Sequence, residues 1–104
     1  MTYQLVFQFQ GEWPSDSREA LALEEEMAAV LGDEADMDGH DISDGVTIFA
    51  LTQNPQAAFE RVSPLIEKKA GMEWLIVAYR EQDGDGFTVL WPTDLTKPFR
   101  LQNA

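Results

Sequence analysis

The sequence predicts one α+β domain, in which an antiparallel sheet is covered by two helices. Three observations carry this prediction: two segments have helical period, five have strand length, and pairs of strands follow one another directly along the chain. The length of 104 residues matches a single domain, so residues 1–104 are taken as one unit. With 44% hydrophobic and 25% charged residues the composition is globular, and we expect the chain to fold on its own.

The first two elements are a strand and a helix. Residues 3–10 alternate apolar and polar side chains, which is the period of a strand with one buried face. Asp16 followed by Glu19 resembles a capping box that begins a helix, and Gly32 is its expected end. The side chains expected in a shared core are Tyr3, Leu5, Phe7 and Phe9 of the strand with Ala20, Leu23, Met27, Val30 and Leu31 of the helix.

Two strands and a second helix follow. Residues 46–52 are β-branched and aromatic with apolar side chains on both sides, which favours a central strand, and residues 36–42 are expected to pair with them through a turn at residues 43–45. The second helix is expected to begin at Asn54 as N-cap, and Pro64 within it is expected to kink or split it. Its apolar face consists of Phe59, Val62, Leu65 and Ile66.

The chain ends in a predicted hairpin. Residues 73–80 and 87–91 have strand character, and an Asp-Gly-Asp-Gly turn joins them. The order of elements is then β-α-β-β-α-β with a fifth strand, which is the split βαβ or ferredoxin-like arrangement. We expect the sheet order 2-3-1-4-5 with both helices on one face. Because two strands are apolar on both sides, we also expect a homodimer through the open sheet face, unless residues 92–104 cover that face instead.

The net charge of −12 is unevenly distributed. Residues 12–44 hold twelve of the 19 acidic residues and one basic residue, Arg18. Such a segment repels phosphate backbones and anionic lipids, so we expect no nucleic-acid or membrane binding. A basic protein partner is the expected ligand instead, with Glu24, Glu25 and Glu26 as its candidate binding residues.

The absence of cysteine excludes a disulfide, a thiolate nucleophile and a Cys-based zinc site. The first residues contain neither the basic nor the apolar region of a signal peptide, and no apolar run reaches the roughly 20 residues of a membrane span. We therefore expect a cytoplasmic protein, and no motif in the sequence implies a cofactor.

A resemblance supports the same architecture. The stretch Asp38-Gly39-His40-Asp41, which leads through a Gly turn into residues 46–52 and the Asn54 helix start, resembles a family of small uncharacterised bacterial proteins. The resemblance covers roughly residues 34–66. It implies a ferredoxin-like fold and no established activity.

The one histidine is the candidate centre of chemistry. His40 has Asp38 and Asp41 as neighbours, and a carboxylate beside an imidazole fixes the tautomer that a general base needs. Regular strand alternation would place Asp38 and His40 on one face and Asp41 on the other. The competing interpretation is a hairpin histidine that bonds to nearby carboxylates.

A cation site is a further candidate in the same segment. Glu34, Asp36 and Asp38 before Gly39 match the spacing of the first ligands of a calcium loop, but Gly45 stands where the bidentate acid should be. His40 together with these carboxylates is the corresponding candidate for a transition metal. Separately, Trp13, Trp74 and Trp91 are candidates for the lining of a small-ligand pocket, in company with Phe49, Tyr79 and Phe87.

Two functional hypotheses remain. The first is a non-catalytic interaction module, such as an inhibitor or immunity-type protein that binds a basic partner with its acidic segment. The alternative is a small enzyme or metal-binding protein centred on His40 with Asp38 and Asp41. No phosphate-binding loop and no nucleophile elbow supports a motif-based hydrolase.

Overall fold

The computed structural model describes residues 1–10, 13–42, 45–69, 71–84 and 86–92. In chain order the elements are β1 (Tyr3–Phe9), α1 (Ser17–Leu31), a 3₁₀ turn (Gly32–Glu34), β2 (Ala35–Asp41), β3 (Val46–Thr52), α2 (Pro55–Lys69), β4 (Leu75–Glu81) and β5 (Thr88–Trp91). The five strands form one antiparallel sheet in the order β2-β3-β1-β4-β5. The predicted ferredoxin-like arrangement and strand order are confirmed.

Parts of two predicted connections fall outside the described residues. These are positions 43 and 44 of the turn before β3 and position 85 of the final hairpin. Residues 93–104, part of the segment predicted as an alternative cover for the open face of the sheet, also lie outside the described residues. Neither helix of the described chain combines the length and the hydropathy that a membrane crossing requires.

The strand β1 occupies the centre of the sheet. It pairs along all seven residues with β3 on one side and with β4 on the other, so that Phe7 lies opposite both Ile48 and Val77. The side chains that share this face are Leu5, Phe7 and Phe9, and they pack into the main core with both helices. Strand β3, which was predicted to be central because its side chains are apolar on both sides, lies next to β1.

Helix α1 begins and ends as the sequence predicts. The Asp16 carboxylate accepts a hydrogen bond from the backbone N–H of Glu19 at 2.9 Å, and Glu19 Oε1 accepts one from the backbone N–H of Ser15 at 2.9 Å. The helix ends at Gly32, whose φ of 55° favours glycine and whose N–H donates to the carbonyl of Ala28. Both ends of α1 are therefore capped by residues that are close in the sequence.

The predicted split of α2 at Pro64 is wrong. The helix begins with the Asn54 side chain accepting from the N–H of Ala57 at 3.1 Å, as predicted, and then runs without a break to Lys69. Proline leaves the carbonyl four residues earlier without its usual donor. That carbonyl, of Glu60, accepts a hydrogen bond from Ser63 Oγ at 3.2 Å, which replaces part of the missing ladder.

The core matches most of the predicted set, but Tyr3 and Leu65 are only half-buried and Val30 is exposed. Leu23, Met27 and Leu31 of α1 are fully buried, but Val30 is 36% exposed. The buried positions of α1 recur every three or four residues, and Val30 lies beside that stripe.

The second face of the sheet, opposite the helices, is also inaccessible at its centre. Val6 and Ala78 are completely buried, and Gln8 is 2% exposed. Around them Phe49, Leu51 and Ile76 are half-buried. The apolar area available on this face of the single chain is therefore smaller than the two-sided strand pattern predicts.

Phe7→Ala should reduce the free energy of unfolding by about 3 to 5 kcal/mol, because it leaves a cavity at a fully buried position between the sheet and the helices. Urea denaturation followed by circular dichroism measures the change. The control is Val30→Ala, which should cost no more than about 0.5 kcal/mol at its partly exposed site. A loss below about 1 kcal/mol for Phe7→Ala would contradict the assignment of this face.

Candidate functional site

A β-bulge in the edge strand β2 determines where His40 lies. Met37 pairs with Ala50 and His40 pairs with Ile48, so Asp38 and Gly39 together oppose a single residue of β3. Gly39 has a φ of 96°, a conformation that favours glycine. The extra residue reverses the alternation beyond it, and His40 therefore shares the helix-covered face with Ile48, whereas regular alternation would have placed it with Asp38.

On that face His40 contacts two residues of α1. Its Nδ1 bonds to Oε1 of Glu24, and its Nε2 lies 3.1 Å from Oγ of Ser17. The His40 side chain is 20% exposed and that of Glu24 only 11%. We call this group, Ser17, Glu24 and His40, the histidine cluster.

The protonation pattern of the histidine cluster follows from its chemistry. An ionised carboxylate can only accept, so Nδ1 of His40 carries the proton that it donates to Glu24. In the neutral ring, Nε2 is then the bare nitrogen, and it accepts from the Ser17 hydroxyl. A serine hydroxyl, an imidazole and a carboxylate thus stand in the relation that activates a serine nucleophile.

The predicted neighbours of His40 do not supply its carboxylate partner. The imidazole bonds to Glu24, sixteen residues earlier in the chain. Asp38 is exposed in the bulge, and the two contacts described for the imidazole, to Ser17 and Glu24, do not involve Asp41. For the metal candidates Glu34, Asp36, Asp38 and His40, no group of three or more His, Asp or Glu side chains in the described residues is placed to hold a metal ion.

The three consecutive glutamates have three different environments. Glu24 is buried against His40, and Glu26 forms an ion pair with Lys69 at 3.1 Å between Oε1 and Nζ. Glu25 is exposed. Of the candidate partner-binding residues, Glu25 alone presents its charge freely to solvent, because the carboxylate of Glu24 is engaged inside the protein and that of Glu26 is partly neutralised.

The tryptophans lie together. Trp13, Trp74 and Trp91 line one open groove of about 1050 Å³, at the end of the sheet where β1 finishes and β4 begins. We call it the tryptophan groove. Phe49, Tyr79 and Phe87, the aromatic residues predicted to accompany them, do not line it: Tyr79 packs edge-to-face on Tyr3, and Arg80 lies over the Phe87 ring.

Two hydrogen bonds shape the groove. The indole N–H of Trp91 donates to the carbonyl of Met72 at 3.1 Å, and the backbone N–H of Gln10 donates to the carbonyl of Trp74 at 2.8 Å. The Trp74 side chain nevertheless remains 61% exposed. The groove therefore combines a fixed wall at Trp91 with an exposed ring at Trp74.

Comparisons of this chain with protein-family models, with curated proteins and with solved structures find no match. The resemblance to a small bacterial family therefore stays a prediction.

The pairing of His40 with Glu24 is testable by a double-mutant cycle. Glu24→Ala should lower the free energy of unfolding by about 1.5 to 3 kcal/mol, because it removes a charge-assisted hydrogen bond in a poorly solvated site. The matched control Glu25→Ala should stay within about 0.5 kcal/mol. Combination with His40→Ala should give a coupling energy of at least about 0.5 kcal/mol by urea denaturation. Additive losses would show that the two side chains do not interact.

Proposed function

We propose that the protein is a non-catalytic interaction module that binds a basic protein partner through its acidic side. The observation that carries the proposal is the packing of α1 against the edge strand β2, which brings the acidic residues of both elements to the same edge of the sheet. The exposed carboxylates there are Glu25, Asp33, Asp36 and Asp38, which we call the acidic surface.

Little in the segment neutralises this surface. Arg18 is the one basic residue in residues 12–44, and Lys69 of α2 is engaged by Glu26. A concentrated negative field of this kind accelerates the encounter with a positive partner and repels negative ones. An inhibitor or immunity-type protein that covers a basic, nucleic-acid-binding surface is the kind of module that fits.

The edge strand limits how such a partner can bind. The outer edge of β2 has no neighbouring strand among the described residues, but its bulge and its exposed carboxylates disfavour the addition of a foreign strand. The partner is therefore expected to contact the acidic side chains with Lys and Arg and not to extend the sheet.

Two further expectations belong to the same proposal. The protein acts in the cytoplasm, in keeping with its lack of cysteine. It forms a homodimer through the second face of the sheet, where the half-buried side chains of Phe49, Leu51 and Ile76 would supply the contact.

Charge reversal tests the acidic surface. A partner captured from the source cells at low salt, and identified by mass spectrometry, is titrated in purified form against Asp36→Lys/Asp38→Lys. We expect association to slow by tenfold or more at low salt, and the difference to shrink as the Debye length falls to about 8 Å at 0.15 M.

The control for this experiment is Glu60→Lys/Glu81→Lys, which changes the net charge equally at exposed positions outside the acidic surface. Its association rate should fall much less. Equal slowing by both double variants would show that only the total charge matters, and affinity that is insensitive to salt would contradict the proposal.

The histidine cluster supports a second candidate function, a small acyl-transfer enzyme centred on His40. In this reaction the Ser17 oxygen attacks an ester carbonyl, its proton passes to Nε2 of His40, and Glu24 stabilises the imidazolium. The imidazolium then protonates the leaving alcohol, and water releases the acid from the serine. Ser17 is the first residue of α1, where backbone N–H groups lack intrahelical partners and favour negative charge.

Two features limit the expected rate. None of the three residues of the histidine cluster lines the tryptophan groove, so an acyl group would bind at the surface. The Asp16 carboxylate also occupies the N–H of Glu19 in the first turn and repels a developing oxyanion. In this mechanism Glu24 takes the role of the carboxylate beside His40, which the sequence had assigned to Asp38 and Asp41.

Covalent labelling tests the nucleophile directly. A fluorophosphonate probe should modify Ser17, as intact-mass and peptide analysis would show, and labelling should disappear in Ser17→Ala and fall at least tenfold in His40→Ala. Ser15→Ala removes a neighbouring exposed serine and should leave labelling unchanged. Labelling that is absent, or equal at Ser15 and Ser17, would leave the histidine cluster with a structural role alone.

A further inference from the structure

The tryptophan groove is a second surface of distinct chemistry. All three tryptophans of the chain line it, together with the apolar side chains of Phe9 and Met72. An exposed tryptophan such as Trp74 has a large apolar area in water, and residues of this type dominate binding energy when they cluster at an interface. Neither the acidic surface nor the histidine cluster uses any of these residues.

The size and form of the groove indicate an extended ligand. At about 1050 Å³ it lies at the upper end of the range of sites that enclose one small molecule, and it is partly open to solvent. A single quaternary ammonium group would fill only a small part of it. Open grooves lined by aromatic side chains are the typical sites for segments in the polyproline II conformation, which enter with little loss of entropy.

The available hydrogen-bond donors match such a segment. A polyproline II chain exposes its backbone carbonyls as acceptors and makes no internal hydrogen bonds. The indole N–H of Trp91 is used by Met72, but in the described part of the chain the indole N–H groups of Trp13 and Trp74 have no acceptor. These two groups can donate to carbonyls of a bound peptide while their rings contact its prolines.

The charges at the rim indicate what flanks the prolines. Glu67 and Glu73 are exposed beside the groove, and among the described residues of its lining the one basic side chain, Lys69, is paired with Glu26 at 3.1 Å. The described part of the rim is therefore net negative and complements a Lys or Arg side chain.

We propose that the tryptophan groove binds a proline-rich peptide segment that carries a flanking basic residue. The site is independent of the acidic surface and of the histidine cluster, so it does not rest on either function proposed above.

Intrinsic fluorescence is a direct probe, because every tryptophan of the protein lies at the site. The titrant is a blocked peptide of about ten residues, roughly 30 Å long as a polyproline II helix, with an arginine before a repeated proline-leucine-proline sequence. We expect a saturable change with micromolar affinity. Replacement of the prolines by alanine should weaken binding at least tenfold.

Variants of the protein locate the site. Trp74→Ala should weaken binding at least tenfold and leaves Trp13 and Trp91 as reporters, and its exposed position allows the fold to remain intact. Leu21→Ala removes another exposed apolar side chain, on α1 outside the groove, and should bind as the unchanged protein does. Asp36→Lys/Asp38→Lys should also bind normally, which separates this site from the acidic surface.

A charge exchange tests the rim. A peptide with glutamate in place of arginine should bind several-fold more weakly at low salt, and Glu73→Lys should reverse that preference. Equal binding of the alanine peptide, full binding by Trp74→Ala, or the lack of any saturable signal would overturn the proposal. A response to a glucose oligosaccharide but to none of the peptides would overturn it as well and would assign the groove to carbohydrate.

Discussion

The fold depends on the pairing of β1 with a strand on each side. Val6 and Phe7 point to opposite faces of this strand and both are completely buried, so its backbone groups have no water to bond and must pair within the sheet. A shift of one residue in the pairing of β1 would move Leu5, Phe7 and Phe9 to the face opposite the helices. The observed register is therefore the one that buries these side chains under the helices and Val6 on the other face. The positions of α1 and α2 follow from the face that this register presents.

The outer strand β2 is held to this centre by two different kinds of contact. Ala35 and Met37 pack against the apolar core, while His40 reaches the carboxylate of Glu24 in α1. A carboxylate as enclosed as that of Glu24 is costly without a partner, so the imidazole stabilises the helix as well as the strand. This burial also affects the surface charge. Glu24 contributes to the net charge of the chain but lies inside the protein, so the negative field at the surface arises from the neighbouring carboxylates.

Local patterns were sufficient to predict the architecture, and they failed where a distant residue decides the outcome. The period of β1, the cap at Asp16 and the start at Asn54 depend on residues that are adjacent in the chain, and all three are confirmed. In α2, Ser63 Oγ donates to the Glu60 carbonyl, which Pro64 leaves without its backbone donor, and a general rule about proline in helices does not include such a side-chain contact. The histidine cluster joins residues 16 and 23 positions apart, and no spacing motif reports such contacts.

The side-chain alternation of β2 reverses at Gly39, and this reversal explains why the acids nearest in the sequence are not the carboxylate partner of His40. Strand alternation holds only while each residue faces one partner, and the bulge places two residues of β2 against one of β3. A glycine with a φ of 96° permits that insertion at little cost, whereas a residue with a Cβ would be strained there even though the space around it is free. The face on which the histidine lies is thus set by a backbone conformation one residue before it. Its chemistry is then set by the helix that covers that face, because Ser17 and Glu24 are the polar side chains that α1 brings to the ring. The signal available in the sequence was the glycine between Asp38 and His40, in a strand where glycine is otherwise disfavoured.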